Sequence, residues 1–422
     1  MLSSLAAAWK IKELRQKILF TLMIFVVFRA GAHVPVPGID VTQIGALLGS
    51  DIWGYLDVIS GGALKQFTVF AMGIVPYINA SIIVQLLTMV VPYFEKLQKE
   101  GPEGRKKMTQ IIRYGTVVLA FAQAIGITFV LRTAVLPEHQ NFFSYLAIVI
   151  TLTAGTAFLM WLGELITEKG IGNGISLIIF AGIVSRVPAG ARTVYEYIVN
   201  KTMHPLLLLL FGVLALLVIA GIVYIQEGQR RIPVQYAKRV VGRKVYGGQS
   251  THIPMKINQA GVIPIIFASS FLILPQTIAK FFAGENTVGV AAWFVKIFGF
   301  QHPVYLVIYT IFIFLFTYFY TAATFNTGDV ADNLKKHGGF VPGLRPGKPT
   351  AEFLDRILSR VTFAGAAFLA AIALMPNLAS AITGQSIGFG GTSLLIVVGV
   401  ALETMKQIES HLLMRHYQGF MR

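Results

Sequence analysis

Apolar runs bounded by charge, glycine or proline recur at about 18–35, 68–91, 114–131, 143–163, 173–187, 206–225, 258–279, 303–325, 361–380 and 391–406. A helix needs about 20 apolar residues to cross a bilayer, so the pattern predicts ten spans. The second run differs from the rest. In SGGALKQFTVFAMGIVPYINASIIVQLLTMVVP, from Ser60 to Pro92, a Gly61-Gly62 pair precedes a short amphipathic piece ending near Phe67, and the following run to Val91 carries no charge. Gly73 and Pro76 sit inside that run, where they are expected to loosen the helical ladder and to require neighbours that satisfy the freed carbonyls. In steps of four and three, Ile74, Ile78, Ser81, Gln85 and Thr88 share one face, apolar at one end and polar at the other. Such a stripe suits a water-accessible path or gate, but taken alone it fits better the polar contacts that join helices in a bilayer.

Composition fixes the class. With 55% hydrophobic and 13% charged residues over 422, a soluble globular chain is excluded and an all-α polytopic membrane protein is expected. The absence of cysteine rules out a disulfide framework and Cys-based metal or redox sites. The stretch up to Lys17 is short, amphipathic and followed directly by a span, which reads as a retained first helix and not a cleaved signal peptide.

Most of the 35 Lys and Arg fall on one side when the spans are threaded alternately: Lys10 to Lys17, Lys96 to Arg113, Lys169, Arg230 to Lys256, Lys335 to Arg360, then Lys406, Arg415 and Arg422. Positive residues mark the cytoplasmic side, so both termini are expected there, in a plasma membrane. Arg29, Arg132 and Arg186 are left near span ends on the other side. The spans divide five and five around the polar stretch 188–205, giving an N-terminal half 1–187, an external hinge connection and a C-terminal half 206–422. An odd number per half makes the second enter from the opposite side, as in inverted repeats with a central interface.

Two basic cytoplasmic loops, 226–257 and 326–360, stand out. The first alternates apolar and basic residues and is expected to form a projecting hairpin turning at Tyr246-Gly247-Gly248. The second is rich in Gly and Pro, which favours a fixed irregular loop over a long helix. Both suit a partner bearing phosphates or carboxylates, such as RNA or an acidic protein, or, more plainly, lipid headgroups.

What is missing also narrows the class. No charged side chain lies near mid-depth of a span, Arg29, Arg132, Glu164 and Arg186 all being near ends. Coupled transporters commonly place one there despite a cost of about 2.5 to 3.5 kcal/mol. HExxH and GxSxG are absent, GLRPGKP at Gly343 to Pro349 falls short of a phosphate loop, and the His residues lack metal-ligand spacing. No enzyme and no cofactor are expected. Asn79-Ala80-Ser81 is a sequon within a span, and Gly170, Gly172 and Gly174 read as close helix packing.

GGALKQFTVFAMGIVPYINASIIVQLLT, WLGELITEKGIGNGISLIIFAGI, YAKRVVGRKVYGGQSTHIPMKINQAGVIPIIFASS, ADNLKKHGGFVPGLRPG and GGTSLLIVVGV closely resemble the SecY family, channel subunits of the bacterial Sec protein translocase. The resemblance covers nearly the whole chain. Thr327 departs from it, standing where many relatives have Pro after Phe325-Asn326. The resemblance implies ten transmembrane helices in two pseudosymmetric inverted halves around a central pore. Unfolded secretory polypeptides would pass through it, and signal or transmembrane segments would leave sideways into lipid.

Matched motif by motif, it assigns a pore ring to Ile74, Ile78, Ile179, Ile183, Ile266 and Ile396, and a plug to about 57–67, with Asp57, Ile59, Ser60, Gly61, Gly62, Leu64 and Phe67. Branched apolar side chains around a neck resist wetting yet yield to a chain of any sequence. The lateral gate would lie between spans two and three and spans seven and eight, with Gln85, Thr88, Ser269 and Ser270 as polar candidates. Docking of the ribosome or the SecA motor falls to Arg230, Arg231, Lys238, Arg239, Arg243, Lys244 and Arg345. SecE-like and SecG-like small subunits are the implied membrane partners, and the energy for transport comes from elsewhere. An inverted-repeat secondary transporter and a non-conducting insertase or scaffold are the alternatives.

Overall fold

The computed structural model describes residues 7–41, 44, 57, 60–136, 138, 140–200, 205–236, 239–241, 244–246, 250–283, 297, 302–383 and 391–419. Among the described residues ten helices fall where the ten apolar runs lie: α1 (Lys12–Gly31), α2 (Val75–Val90), α4 (Pro102–Val130), α5 (Phe142–Lys169), α6 (Gly174–Val184), α8 (Pro205–Glu227), α9 (Ile263–Ala283), α10 (Pro303–Thr324), α12 (Lys348–Thr383) and α13 (Gly391–Gly419). Three further helices, α3 (Pro92–Lys99), α7 (Val187–Val199) and α11 (Thr327–Lys336), lie between them. Among the described residues six helices are long and apolar enough by themselves to cross a membrane, and a seventh if α2 and α3 count as one bent span. Gly212–Glu227 of α8 and Ile263–Leu272 of α9 are apolar but shorter, and α1 opens on the charged turns Lys12 to Lys17.

Proline sets several of these starts. It occupies the first turn of α2, α3, α4, α7 and α10, where its missing N–H would have no helical partner anyway. This corrects the expectation for the second run. Pro76 does not break a helix from within; it helps start one at Val75, and residues 60–74 before it form successive turns. At the other end Val91 is extended ahead of Pro92, as a residue before proline favours, and α3 leaves α2 at 99°.

In the first half α2 packs on α4, α4 on α5, α5 on α6, and α1 on both α5 and α6; in the second α9 packs on α10, α10 on α12, α12 on α13, and α8 on α13. The halves meet where α6 lies on α13 and where α9 lies on α2 and α4. The connection 188–205, read as polar from sequence, is helical over Val187–Val199. Outward faces carry large apolar side chains such as Leu19, Val118, Phe143, Leu216 and Ile311, as expected where the surrounding medium is lipid.

The fold is not wholly α. Strands β1 (Gln229–Tyr236) and β4 (Ser250–Lys256) pair antiparallel from Gln229↔Lys256 to Gln235↔Ser250. Between them β2 (Arg239–Val241) and β3 (Lys244–Tyr246) pair antiparallel, Val241 with Lys244, whereas Gly247 and Gly248 of the expected turn lie outside the described residues. From the second loop β5 (Gly339–Phe340) adds to the free edge of β1, giving the order β4-β1-β5. That loop is also more regular than its Gly and Pro content suggested. Asn326 Oδ1 accepts from the Gly328 and Asp329 N–H groups at 3.0 and 3.3 Å, an N-cap that starts α11. Thr327 is the first helical residue, a position that tolerates either threonine or proline.

Candidate functional site

The six isoleucines come from four helices. Ile74 is the N-cap of α2 and Ile78 lies one turn on, its N–H donating to the Ile74 carbonyl at 3.1 Å. Ile179 and Ile183 lie one turn apart on α6, Ile266 on α9 and Ile396 on α13. All six are buried, and all belong to one apolar cluster spanning both halves. Spacing of i and i+4 turns each pair to one face, and the contacts of α6 with α13 and of α9 with α2 bring those faces together.

The segment before α2 is packed on both sides. Ala63 joins the cluster of the six isoleucines, whereas Leu64 and Phe67 enter a second cluster with Ala120, Ala124 and Ile127 of α4 and Ile148 and Leu152 of α5. Phe67 adopts φ 41°, and its carbonyl accepts from Val36 N–H at 3.0 Å while Val69 N–H donates to the Val34 carbonyl at 3.0 Å. Asp57 and Ser60 are buried as well. Ile59 lies outside the described residues.

Of the gate candidates, Gln85 and Thr88 lie on α2 and Ser269 and Ser270 on α9, the helices that meet across the halves. Thr88 and both serines are buried, Gln85 half-buried. The Thr88 hydroxyl donates to the Gln85 carbonyl at 2.6 Å and the Ser269 hydroxyl to the Ile266 carbonyl at 2.9 Å, each within its own helix.

The two basic loops form one body. Ile232 and Val234 of β1, Met255 of β4, Val341 beyond β5 and Leu354, Ile357 and Leu358 of α12 share a small core, with Leu344 packed against it. Arg230, Arg231 and Arg345 are exposed on that body. Arg345 is held by its backbone: the Thr350 hydroxyl donates to its carbonyl at 2.8 Å, and Gly343, at φ 83°, permits the turn before it. Lys238 and Arg243 lie outside the described residues, and Arg239 and Lys244 are described in backbone only.

Several residues escaped the sequence. Arg113 and Glu164 join α4 to α5 by two contacts, Nε to Oε1 at 2.8 Å and Nη2 to Oε2 at 2.7 Å. Arg186 pairs with Asp57, and Arg29 donates to the Gly61 carbonyl. The available signal was positional: threading the apolar runs leaves Arg29 and Arg186 near span ends, apart from the basic clusters.

The family model that matches residues 68–405 is SecY. A protein translocase subunit SecY from Halalkalibacterium halodurans is 47% identical over 440 residues, covering the whole of both chains. Among solved structures, a SecY channel whose plug domain stabilises the closed state and maintains a membrane seal aligns with TM-score 0.66 at 19% identity over 94% of this chain and 92% of its own. Canine Sec61, in a ribosome–channel complex from the endoplasmic reticulum, aligns with TM-score 0.61 at 18% identity over 94% of this chain and 92% of its own.

Proposed function

This chain belongs to the SecY family, and we propose that its conducting path runs between the two halves, through a neck closed by Ile74, Ile78, Ile179, Ile183, Ile266 and Ile396. It is a multi-pass membrane protein and the channel subunit of a protein translocase, not an enzyme. The inverted-repeat transporter falls away, since relatives nearly half identical over their whole length are translocase subunits. The observation that carries the proposal is that six branched apolar side chains from helices of both halves share one buried cluster. Such a seal excludes ions by dewetting and opens to a chain of any sequence.

In this scheme 57–67 is the plug against the outer side of the neck, and α2 and α4 part from α9 and α10 to release apolar segments into lipid. The halves 1–187 and 206–422 hinge on the connection 188–205. The membrane is the plasma membrane with both termini in the cytoplasm, in keeping with the basic loops. Arg230, Arg231 and Arg345, with Lys238, Arg239, Arg243 and Lys244, dock a ribosome or a SecA-type motor, and SecE-like and SecG-like subunits complete the complex. Signal peptides and unfolded precursors are the substrates.

A stalled secretory precursor tests this. With no cysteine in the native chain, Ile78→Cys or Ile183→Cys is a unique crosslinking site. The precursor should crosslink at both positions and not at Val90→Cys, where the side chain is 78% exposed. Crosslinks confined to position 90 would place the path elsewhere.

A further inference from the structure

The segment read as the plug is tied to the rest of its half by two arginines. Asp57 is fully buried, its Oδ2 bridged by Nη1 of Arg186 at 2.5 Å and its Oδ1 accepting from the Lys65 N–H at 2.9 Å. The Asp57 carbonyl in turn accepts from the Gly62 N–H at 2.8 Å and the Ser60 hydroxyl at 3.2 Å, so the carboxylate anchors a folded loop and not a loose strand. Arg29, in the last turn of α1, donates to the Gly61 carbonyl at 3.0 Å and to Oγ of Ser185 at 3.3 Å. Between these contacts the chain presses on α6 directly. A β-carbon on Gly61 would stand 3.0 Å from the Gly182 α-carbon.

Arg186 follows Ile183 by one turn, its N–H donating to the Ile183 carbonyl at 3.1 Å. The end of α6 therefore carries two of the six isoleucines and the cation that holds Asp57. A buried carboxylate without its partner is strongly unfavourable, whereas an ion pair whose members both return to water is close to energetically neutral. The Arg186 side chain is 29% exposed, whereas Asp57 is fully buried, so the arginine is the member of the pair nearer the surface. Such a pair fixes where a segment rests without adding much to the cost of its leaving.

Resting on the reading of plug and neck given above, we propose that Arg186 is a positioning residue that latches the plug through Asp57 and couples its release to displacement of α6. A chain that pushes Ile179 and Ile183 aside moves the same helix end, withdraws the guanidinium and leaves Asp57 to follow it into water. Arg29 supplements the latch through uncharged acceptors, the Gly61 carbonyl of the loop and the hydroxyl of Ser185 beside Arg186.

The test uses membranes holding the full-length protein with its native partner subunits, and reads resting ion conductance. Asp57→Asn and Arg186→Gln should each raise it several-fold towards that of a variant lacking residues 57–67, while Arg186→Lys, which keeps the charge, should stay near wild type. The exchange Asp57→Arg with Arg186→Asp should restore a low value, which misfolded single variants cannot explain. The latch is overturned if the deletion leaks and the single variants do not, or if the exchanged pair leaks like either single variant. A deletion that stays tight overturns the plug reading itself and the latch with it.

Discussion

Gly174 sits so close to Gly163 that a β-carbon on Gly174 would stand 1.8 Å from the Gly163 carbonyl oxygen. The first turn of α6 thus rests on the backbone of α5, and the Gly174 N–H finds Oγ1 of Thr167 at 2.9 Å. Backbone cannot rotate aside as a side chain can, so Gly174→Ala must displace α6 as a body. We expect it to lower stability by about 1–3 kcal/mol, the usual range for overpacking, and to misplace Ile179 and Ile183. Thermal unfolding of the detergent-solubilised protein checks this, an unchanged midpoint counting against it.

A polar atom in the neck should wet it. Ile183→Thr keeps the β-branch but exchanges a carbon branch for a hydroxyl, which costs about 1–3 kcal/mol when buried without a good partner. That is small beside the folding of a helix bundle, so the protein should still assemble. With the plug segment deleted in both backgrounds, the threonine variant should pass small ions more readily than isoleucine. Equal single-channel conductance would mean that Ile183 does not line the neck.

How much of this was legible in the sequence depends on whether a feature is local. Ten apolar runs mapped onto ten helices because bilayer thickness sets one length scale, and Ile74 with Ile78 or Ile179 with Ile183 could be paired by helical periodicity alone. Pro76 was misjudged because the same residue breaks a helix from inside and starts one at its first turn; what decides is whether residues 60–74 are helical, and their contacts with Val34 and Val36 keep them in turns. The union of Gln235 with Phe340 across more than a hundred residues has no local signature. Neither has Arg186 with Asp57, although an arginine near a span end, apart from the basic clusters, was a pointer.

Arg345 should matter for docking and not for folding. It is exposed, next to Leu344, which packs into the small core beneath, and its carbonyl is fixed by Thr350. Arg345→Glu reverses the charge without touching that core, so motor-driven export should be abolished while thermal stability stays within about 0.5 kcal/mol of wild type. Thr350→Val removes only the hydrogen bond that holds the loop and should weaken export partially. Export at the normal rate in Arg345→Glu would remove the residue from the docking surface.

The Arg113–Glu164 pair links α4 and α5 with bidentate geometry, yet Arg113 is half exposed. Solvent screening limits what such a pair contributes, to about 0.2–1 kcal/mol. Glu164→Gln should therefore lower stability only by that amount, and less at high salt because the lost attraction is screened there already. Unfolding midpoints at low and high ionic strength separate this from a buried, structurally essential pair, for which the loss would be several-fold greater and insensitive to salt.

In the proposed scheme segments leave sideways where α2 meets α9, and Gln85 is the polar residue assigned to hold that seam. Lipid offers apolar surfaces no less favourable contact than another helix does, so a closed seam depends on packing and on polar contacts. Gln85 is half-buried on α2, one turn from buried Thr88, and α2 packs on α9, which carries Ser269 and Ser270. Gln85→Leu keeps the size and removes the polar group, weakening the closed state by about 0.6–2 kcal/mol. That corresponds to a gate opening about threefold to thirtyfold more readily. Export of a precursor with a weakly apolar signal should rise relative to one with a strong signal, because only the weak signal is limited by the opening step. An unchanged ratio of the two export rates would show that Gln85 takes no part in holding the seam shut.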